Sequence, residues 1–460
     1  MKRSTVRFDS CLAEASLVLL PRIIRQIDFT IVGAARLRSG GLQREIGRMH
    51  NTGDREVSAQ EAVAMQTASE LGTPDFSLML GGPLFQLYRR THLSGDALEL
   101  LQRRVVVITL FAWLPLLLLS ALTGHALGGG IKIPFLRDVE ANTRFLVALP
   151  ALIIAELVVH KRISPLAQRF LDRRIVAGED VPALKAAVNS AMRIRNSVAV
   201  EIALLAFVYT VGLWIWRSQI AMGAPTWYAR PDAKHLNLTP AGYWYVFASI
   251  PFFQFILLRW YMRLMLWFRL LWHISRLNLH LSAAHPDQAG GIGFLGKSSY
   301  AFAPILFAEG ATLAGLIANR VLYDGRTLLS FKTEAAGLVV FFVLLIVGPL
   351  VMFTFKLDDA QRKGSNEYGL LANRYVFGFE EKWIGHGPPE GNEVLGTADL
   401  QSLADLGNSY TMVRQMRIFP FVVQDITRLV AATILPFVPL SLTVLPLSEV
   451  LKFLVKMIFH

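Results

Sequence analysis

Apolar residues along most of this chain neither alternate nor recur at helical spacing; they run on. Six such stretches, 105–123, 145–159, 198–216, 243–258, 300–318 and 335–355, are each flanked by charge. At about 1.5 Å per residue each approaches the ~30 Å of hydrocarbon that a helix must cross. A seventh run, 429–447, carries Pro436, Pro439 and Pro446 and reads as a kinked span or a re-entrant hairpin. The pattern therefore predicts an all-α polytopic membrane helix bundle of six to seven transmembrane helices with a small helical cytoplasmic part.

The polar segments complete the layout. Residues 1–75 hold short apolar clusters broken by Arg and by Ser39-Gly40-Gly41, and read as a basic, poorly ordered tail, with Met65 a candidate natural start. Residues 76–357 form the membrane domain with its six spans. The segment 358–428 reads as helical and cytoplasmic, and 429–460 as the Pro-rich seventh run followed by an amphipathic interfacial helix. Span 4 has no clean end. Arg259, Arg263, Arg269, His273 and Arg276 fall within about 140° of arc, so the helix either bends onto the interface or continues with one basic side.

Charge fixes an expected orientation. The chain has 460 residues, 53% of them hydrophobic, and a net charge of +12. Lys plus Arg number fourteen in 1–104, eight in 160–197, five in 259–299 and eight in 356–428, against three in each of 124–144, 217–242 and 320–334. That alternation predicts a cytoplasmic N-terminus, with basic loops meeting anionic headgroups. Because the excess is divided among loops, it does not point to nucleic acid. One cysteine, Cys11, excludes disulfide frameworks and Cys-based metal centres within one chain.

Candidate chemistry lies in two places. Glu156, Glu201 and Glu309 fall inside predicted spans, where an ionisable group is costly and so a functional candidate. Glu156 and Glu201 are expected near the basic-loop ends of spans 2 and 3, beside Arg259 and Arg263, with Glu309 deeper in span 5. Such a cluster fits an ion or proton pathway; the two shallow glutamates also fit plain structural pairing. The second place is the loop 285–299. Gly291-x4-Gly296-Lys297-Ser298 matches the phosphate-binding loop literally, but no strand precedes it. A milder expectation is an anion or lipid phosphate held by Lys297, Ser298 and Ser299 at a helix N-terminus. His280, His285 and Asp287 are weak metal candidates, their spacing matching no ligand pattern. No cofactor is expected.

Trp113-Leu114-Pro115-Leu116, Arg144 through Pro150, His285 through Leu295 and Ala398 through Leu406 together resemble a group of uncharacterised bacterial multi-pass inner-membrane proteins. The likeness covers about 80–460 and implies location and architecture, not chemistry. Three functions stay open on the sequence: channel or transporter-like passage of an ion or small solute, a scaffold binding a cytoplasmic partner through its soluble helices, and a lipid-acting enzyme. A homo-oligomer is compatible with each.

Overall fold

The computed structural model describes residues 76–91, 100–215, 217–218, 225–231, 236–385 and 398–441. The tail 1–75, the loop 386–397 and the amphipathic end after 441, all given expectations above, lie outside the described residues.

Among the described residues seven helices are long and apolar enough to cross a membrane: α2 (Leu101–Leu122), α3 (Val139–Asp172), α5 (Val198–Ile215), α6 (Pro240–Arg276), α7 (Phe294–Asp324), α8 (Leu328–Val351) and α11 (Val423–Ser441). The chain is a multi-pass integral membrane protein with an all-α bundle. Among the described residues four further α-helices lie outside the spans: α1 (Pro83–Arg90) before the first, α4 (Val181–Arg195) between α3 and α5, and α9 (Thr354–Glu380) and α10 (Ala398–Arg414) between α8 and α11. One short antiparallel pair, β1 (Ala229–Pro231) and β2 (Leu236–Leu238), is in register Ala229 opposite Leu238.

Several helices outrun their apolar stretches. Hydropathy marks only the part of a helix that lipid can solvate, whereas the backbone ladder continues wherever protein covers the polar residues. α2 thus begins at Leu101 and takes in Arg104. α6 runs unbroken through its basic stretch, without a bend at 258. Its basic residues then separate: Arg259 and Arg263 are buried, while Arg269 reaches α4 by donating to Ser190 Oγ at 2.9 Å.

The layers follow from burial. The most apolar windows of α3, α6 and α7 are 56%, 56% and 67% buried within the protein, against 17% for α5 and α11, so α3, α6 and α7 form the centre and α5 and α11 the rim. Leu118, Ile202, Met265 and Phe341 on the spans are exposed, as lipid-facing residues must be. Small residues let α7 approach its neighbours. A Cβ on Gly310 would stand 2.1 Å from the Thr433 carbonyl oxygen of α11. Close backbone approach of this kind is the main source of helix association in lipid, where apolar burial gives little.

Prolines shape α3 and α6. Pro150 and Pro251 have no N–H to give the carbonyl four residues back, and each follows a wide π turn, Arg144–Ala148 and Tyr245–Ser249. The carbonyl freed by Pro251 is that of Phe247. It accepts instead from Tyr209 of α5, whose hydroxyl is 2.9 Å away. Gln254 adds a second α5–α6 bond, to the Gly212 carbonyl at 3.3 Å.

The bundle has two unlike ends. One carries α1, α4, the loop 277–293, α9 and α10 and most of the basic residues; it is called the basic-loop end. The other carries 123–138, the β1–β2 hairpin and 325–327. Gly310→Ala is expected to weaken α7–α11 packing by about 1–3 kcal/mol. Thermal unfolding in nanodiscs should show an earlier transition, and an unchanged one would mean that the two helices do not meet at Gly310.

A candidate site at the basic-loop end

Four spans and two short helices converge on a buried ionic cluster. Glu156 of α3 stands between two arginines: Arg263 Nη1 of α6 donates to its Oε1 at 2.9 Å, and Arg104 Nη2 of α2 is 3.3 Å from its Oε2. One turn back along the same face of α6, Arg259 Nη2 is 3.3 Å from Glu201 Oε1 of α5. Glu201 lies in the first turn of α5, where the helix dipole favours a carboxylate. Its second oxygen accepts the Leu84 N–H at 3.0 Å, so it also caps α1.

α1 closes the cluster from the basic-loop side. Gly82 precedes it at φ 89°, a conformation that favours glycine, and a Cβ there would lie 3.1 Å from Glu201 Oε1. Tyr88 turns inward and lies under Arg104, with the guanidinium 5.5 Å from the ring centre. Burial first, then the Glu156 charge, pushes the Tyr88 hydroxyl above its ordinary pKa, so it stays protonated. Arg195 at the end of α4 donates to the Ser77 carbonyl and, through Nε, to Asn196 Oδ1 at 3.0 Å. Burial first, then the like charge of Arg263, lowers its pKa to about 10.

The bonding of this cluster is incomplete. Arg104 is fully buried, yet its Nε, Nη1 and Nη2 have no hydrogen-bond partner among the described residues. Nε of Arg259 and Nε of Arg263 likewise have no hydrogen-bond partner among the described residues, and Oε1 of Glu201 has only its ion pair with Arg259. Four buried guanidiniums, of Arg104, Arg195, Arg259 and Arg263, face two carboxylates.

At the opposite end a second buried polar group is complete. Asp138 accepts from Trp227 Nε1 at 2.7 Å, Asn319 Nδ2 at 2.8 Å and the Ala141 N–H at 2.9 Å. Arg144 pairs with Glu140 at 2.5 Å and donates to the Tyr245 hydroxyl at 2.9 Å. A fully satisfied network of this sort rigidifies a fold. It ties α3, α6, α7 and the β hairpin together.

The remaining sequence candidates fall elsewhere. Glu309 of α7 is buried, and the Tyr261 hydroxyl donates to it. Tyr261 stands about 200° around α6 from both Arg259 and Arg263, so α6 separates Glu309 from the arginines instead of placing it deeper on one path. Ser298 and Ser299 are buried and turn their hydroxyls back to the Leu295 and Gly296 carbonyls at 2.6 and 2.7 Å; Lys297 is exposed. The N–H groups that a phosphate would need, of Ala289, Gly291 and Gly293, already donate to Asp287 at 2.9–3.1 Å. Gly296 is explained by packing, since a Cβ would lie 2.4 Å from the Pro420 carbonyl oxygen. His285 Nδ1 is 2.8 Å from Asp287 Oδ1, and among the described residues no group of three or more His, Cys, Asp or Glu is arranged to hold a metal.

Arg104, Arg195 and Tyr88 are members of the cluster that sequence reading did not single out. Arg104 has a signal in retrospect: it lies one residue before an apolar run with no helix breaker between. Tyr88 has none. A Ser–His contact also emerges, Ser77 Oγ to His160 Nδ1 at 2.9 Å. The serine oxygen accepts the Met79 and Leu80 N–H groups at 3.0 Å each and is buried, which makes it a turn cap, not a nucleophile.

Comparison with family models, curated proteins and solved structures finds no match to this chain.

Burial alone would raise the pKa of Asp287; the three N–H donors, with His285, outweigh it and hold the carboxyl below its ordinary value. Its stabilising effect is then fully present above the unfolded value of about 3.9 and is lost as pH falls through the lowered folded value. Hydrogen exchange at the Ala289, Gly291 and Gly293 amides, after correction for intrinsic rates, should show unchanged protection from pH 7 to about 5 and loss only in stronger acid. Loss already near pH 5 would contradict the assignment.

Proposed function

We propose that this protein is a channel or transporter-like membrane protein that moves an ion or small solute, using the arginine–glutamate cluster at its basic-loop end. The observation that carries the reading is Arg104: fully buried in the first turn of a membrane helix, with every side-chain nitrogen lacking a hydrogen-bond partner among the described residues. Buried charge inside a bundle is costly, and structural ion pairs are tolerated when their remaining hydrogen-bonding groups are met. The Asp138 network meets that condition and the Arg104 cluster does not. Glu309 supplies a second ionisable group within the spans, held by a hydroxyl and not by a cation, which suits exchange of a proton or a cation.

The orientation belongs to the same proposal: a bacterial inner membrane, with the basic-loop end in the cytoplasm. Reporter fusions in loops 173–180 and 225–238 should report opposite compartments, cytoplasmic for the first. A shared compartment would contradict the topology.

Purified protein in proteoliposomes should support ion flux above that of empty vesicles. Glu309→Gln should lower that flux by at least tenfold if the carboxyl takes part. Wild-type flux in the variant would remove Glu309 from the pathway, and absence of flux in the wild type across monovalent cations, anions and protons would remove the transport reading.

A further inference from the structure

Resting on the assignment of the cluster as the functional site, the geometry points to the class of its ligand: we infer that Arg104, Arg259 and Arg263 form a binding site for a small oxyanion. Three features converge on this. The first is charge. Four guanidiniums are buried against two carboxylates, so the described protein leaves two positive charges uncompensated in a region of low polarity. Among the described residues the carboxylates paired with these arginines are Glu156 of α3 and Glu201 of α5; α1 adds no carboxylate, only the neutral Tyr88, the exposed Arg89 and Arg90, and a helix N-terminus whose dipole is also positive.

The second feature is the supply of donors. Nε and Nη1 of Arg104 and Nε of Arg259 and of Arg263 are buried and have no hydrogen-bond partner among the described residues, and Arg104 Nη2 has only its 3.3 Å ion pair with Glu156. A buried donor left unmade costs about 1–3 kcal/mol, and more when charged. Water can meet donors but cannot neutralise charge. An oxyanion does both, because carboxylate and phosphate oxygens match the planar fork of guanidinium nitrogens. The third feature is how the two glutamates are used. Glu156 is shared by Arg104 and Arg263, and Glu201 by Arg259 and the α1 N-terminus. Neither has a further oxygen to give to Arg104 Nε or Nη1.

The lowered pKa of Arg195, to which Arg263 contributes, agrees with a local positive excess. An oxyanion here comes either from solution or from a lipid phosphate, and the chemistry is common to both.

The test uses the full-length protein in nanodiscs of purely zwitterionic lipid, with inorganic phosphate as probe and ionic strength held constant with potassium chloride. Thermal unfolding should rise saturably with phosphate. Arg104→Gln should weaken the apparent phosphate affinity at least tenfold and Arg104→Lys by less, while Arg162→Gln, an exposed residue of α3 outside the cluster, should leave it unchanged. Stabilisation that appears only with anionic lipid, and still requires Arg104, also supports the site and identifies the lipid phosphate as its source. No stabilisation by either source, or equal stabilisation of wild type and Arg104→Gln, overturns the inference; if Arg104→Gln fails to fold, Arg104→Lys and the wild-type titration decide it. The flux measurement separates this from the reading beneath it. Cation flux without anion binding overturns the oxyanion site and leaves transport standing, whereas Arg104-dependent phosphate binding without any flux supports the site and removes transport.

Discussion

The junction of Glu156 with Arg104 and Arg263 is the interaction on which the rest of the structure depends. It joins α2, α3 and α6 at one point, and through Arg259 and Glu201 it extends to α5 and α1. Removing an ion from water costs several kcal/mol even after relaxation, so these groups stay buried only because each offsets the charge of another. The offset is incomplete, and the function proposed above rests on that incompleteness. The same chain shows the finished version at its other end, where Asp138 has three donors and Arg144 has both a carboxylate and a hydroxyl.

The two ends therefore differ in kind. At the Asp138 end, prolines interrupt α3 and α6, and π turns with borrowed donors such as Tyr209 restore the backbone bonds. The Tyr209–Phe247 bond lies on an exposed face, so a side-chain hydroxyl meets the freed carbonyl where lipid would offer no donor. At the basic-loop end the irregular features are the turn before α1, with Gly82 at positive φ, and the under-satisfied side chains of the cluster.

The spans were legible because a lipid-solvated helix needs some twenty apolar residues and little else. Their true ends were not, because hydropathy falls as soon as a charge appears, whether that charge faces water or a partner. Arg104 was thus counted among loop charges that set topology, although it belongs to the first buried turn of α2. Glu156, Glu201, Arg259 and Arg263 were readable as a group, since each is an ionisable residue within about a turn or two of a predicted basic-loop end. Their specific pairing was not, because hydropathy gives depth and no azimuth. The same blindness put Glu309 on one path with them, whereas α6 stands between. The Gly291–Ser298 motif shows the converse error: its spacing is that of a phosphate cradle, but an internal carboxylate two residues before Ala289 fills it, and only three dimensions reveal that.

The most direct measurement of the central claim is a double-mutant cycle on Arg263 and Glu156, using Arg263→Gln, Glu156→Gln and the double variant, with unfolding free energies measured in lipid or mild detergent. If the two groups are one buried junction, each single variant strands the charge of the other, and the coupling energy should exceed about 1 kcal/mol. Additive losses within about 0.5 kcal/mol would show that the pair is not coupled, and the account of the cluster would fall with it.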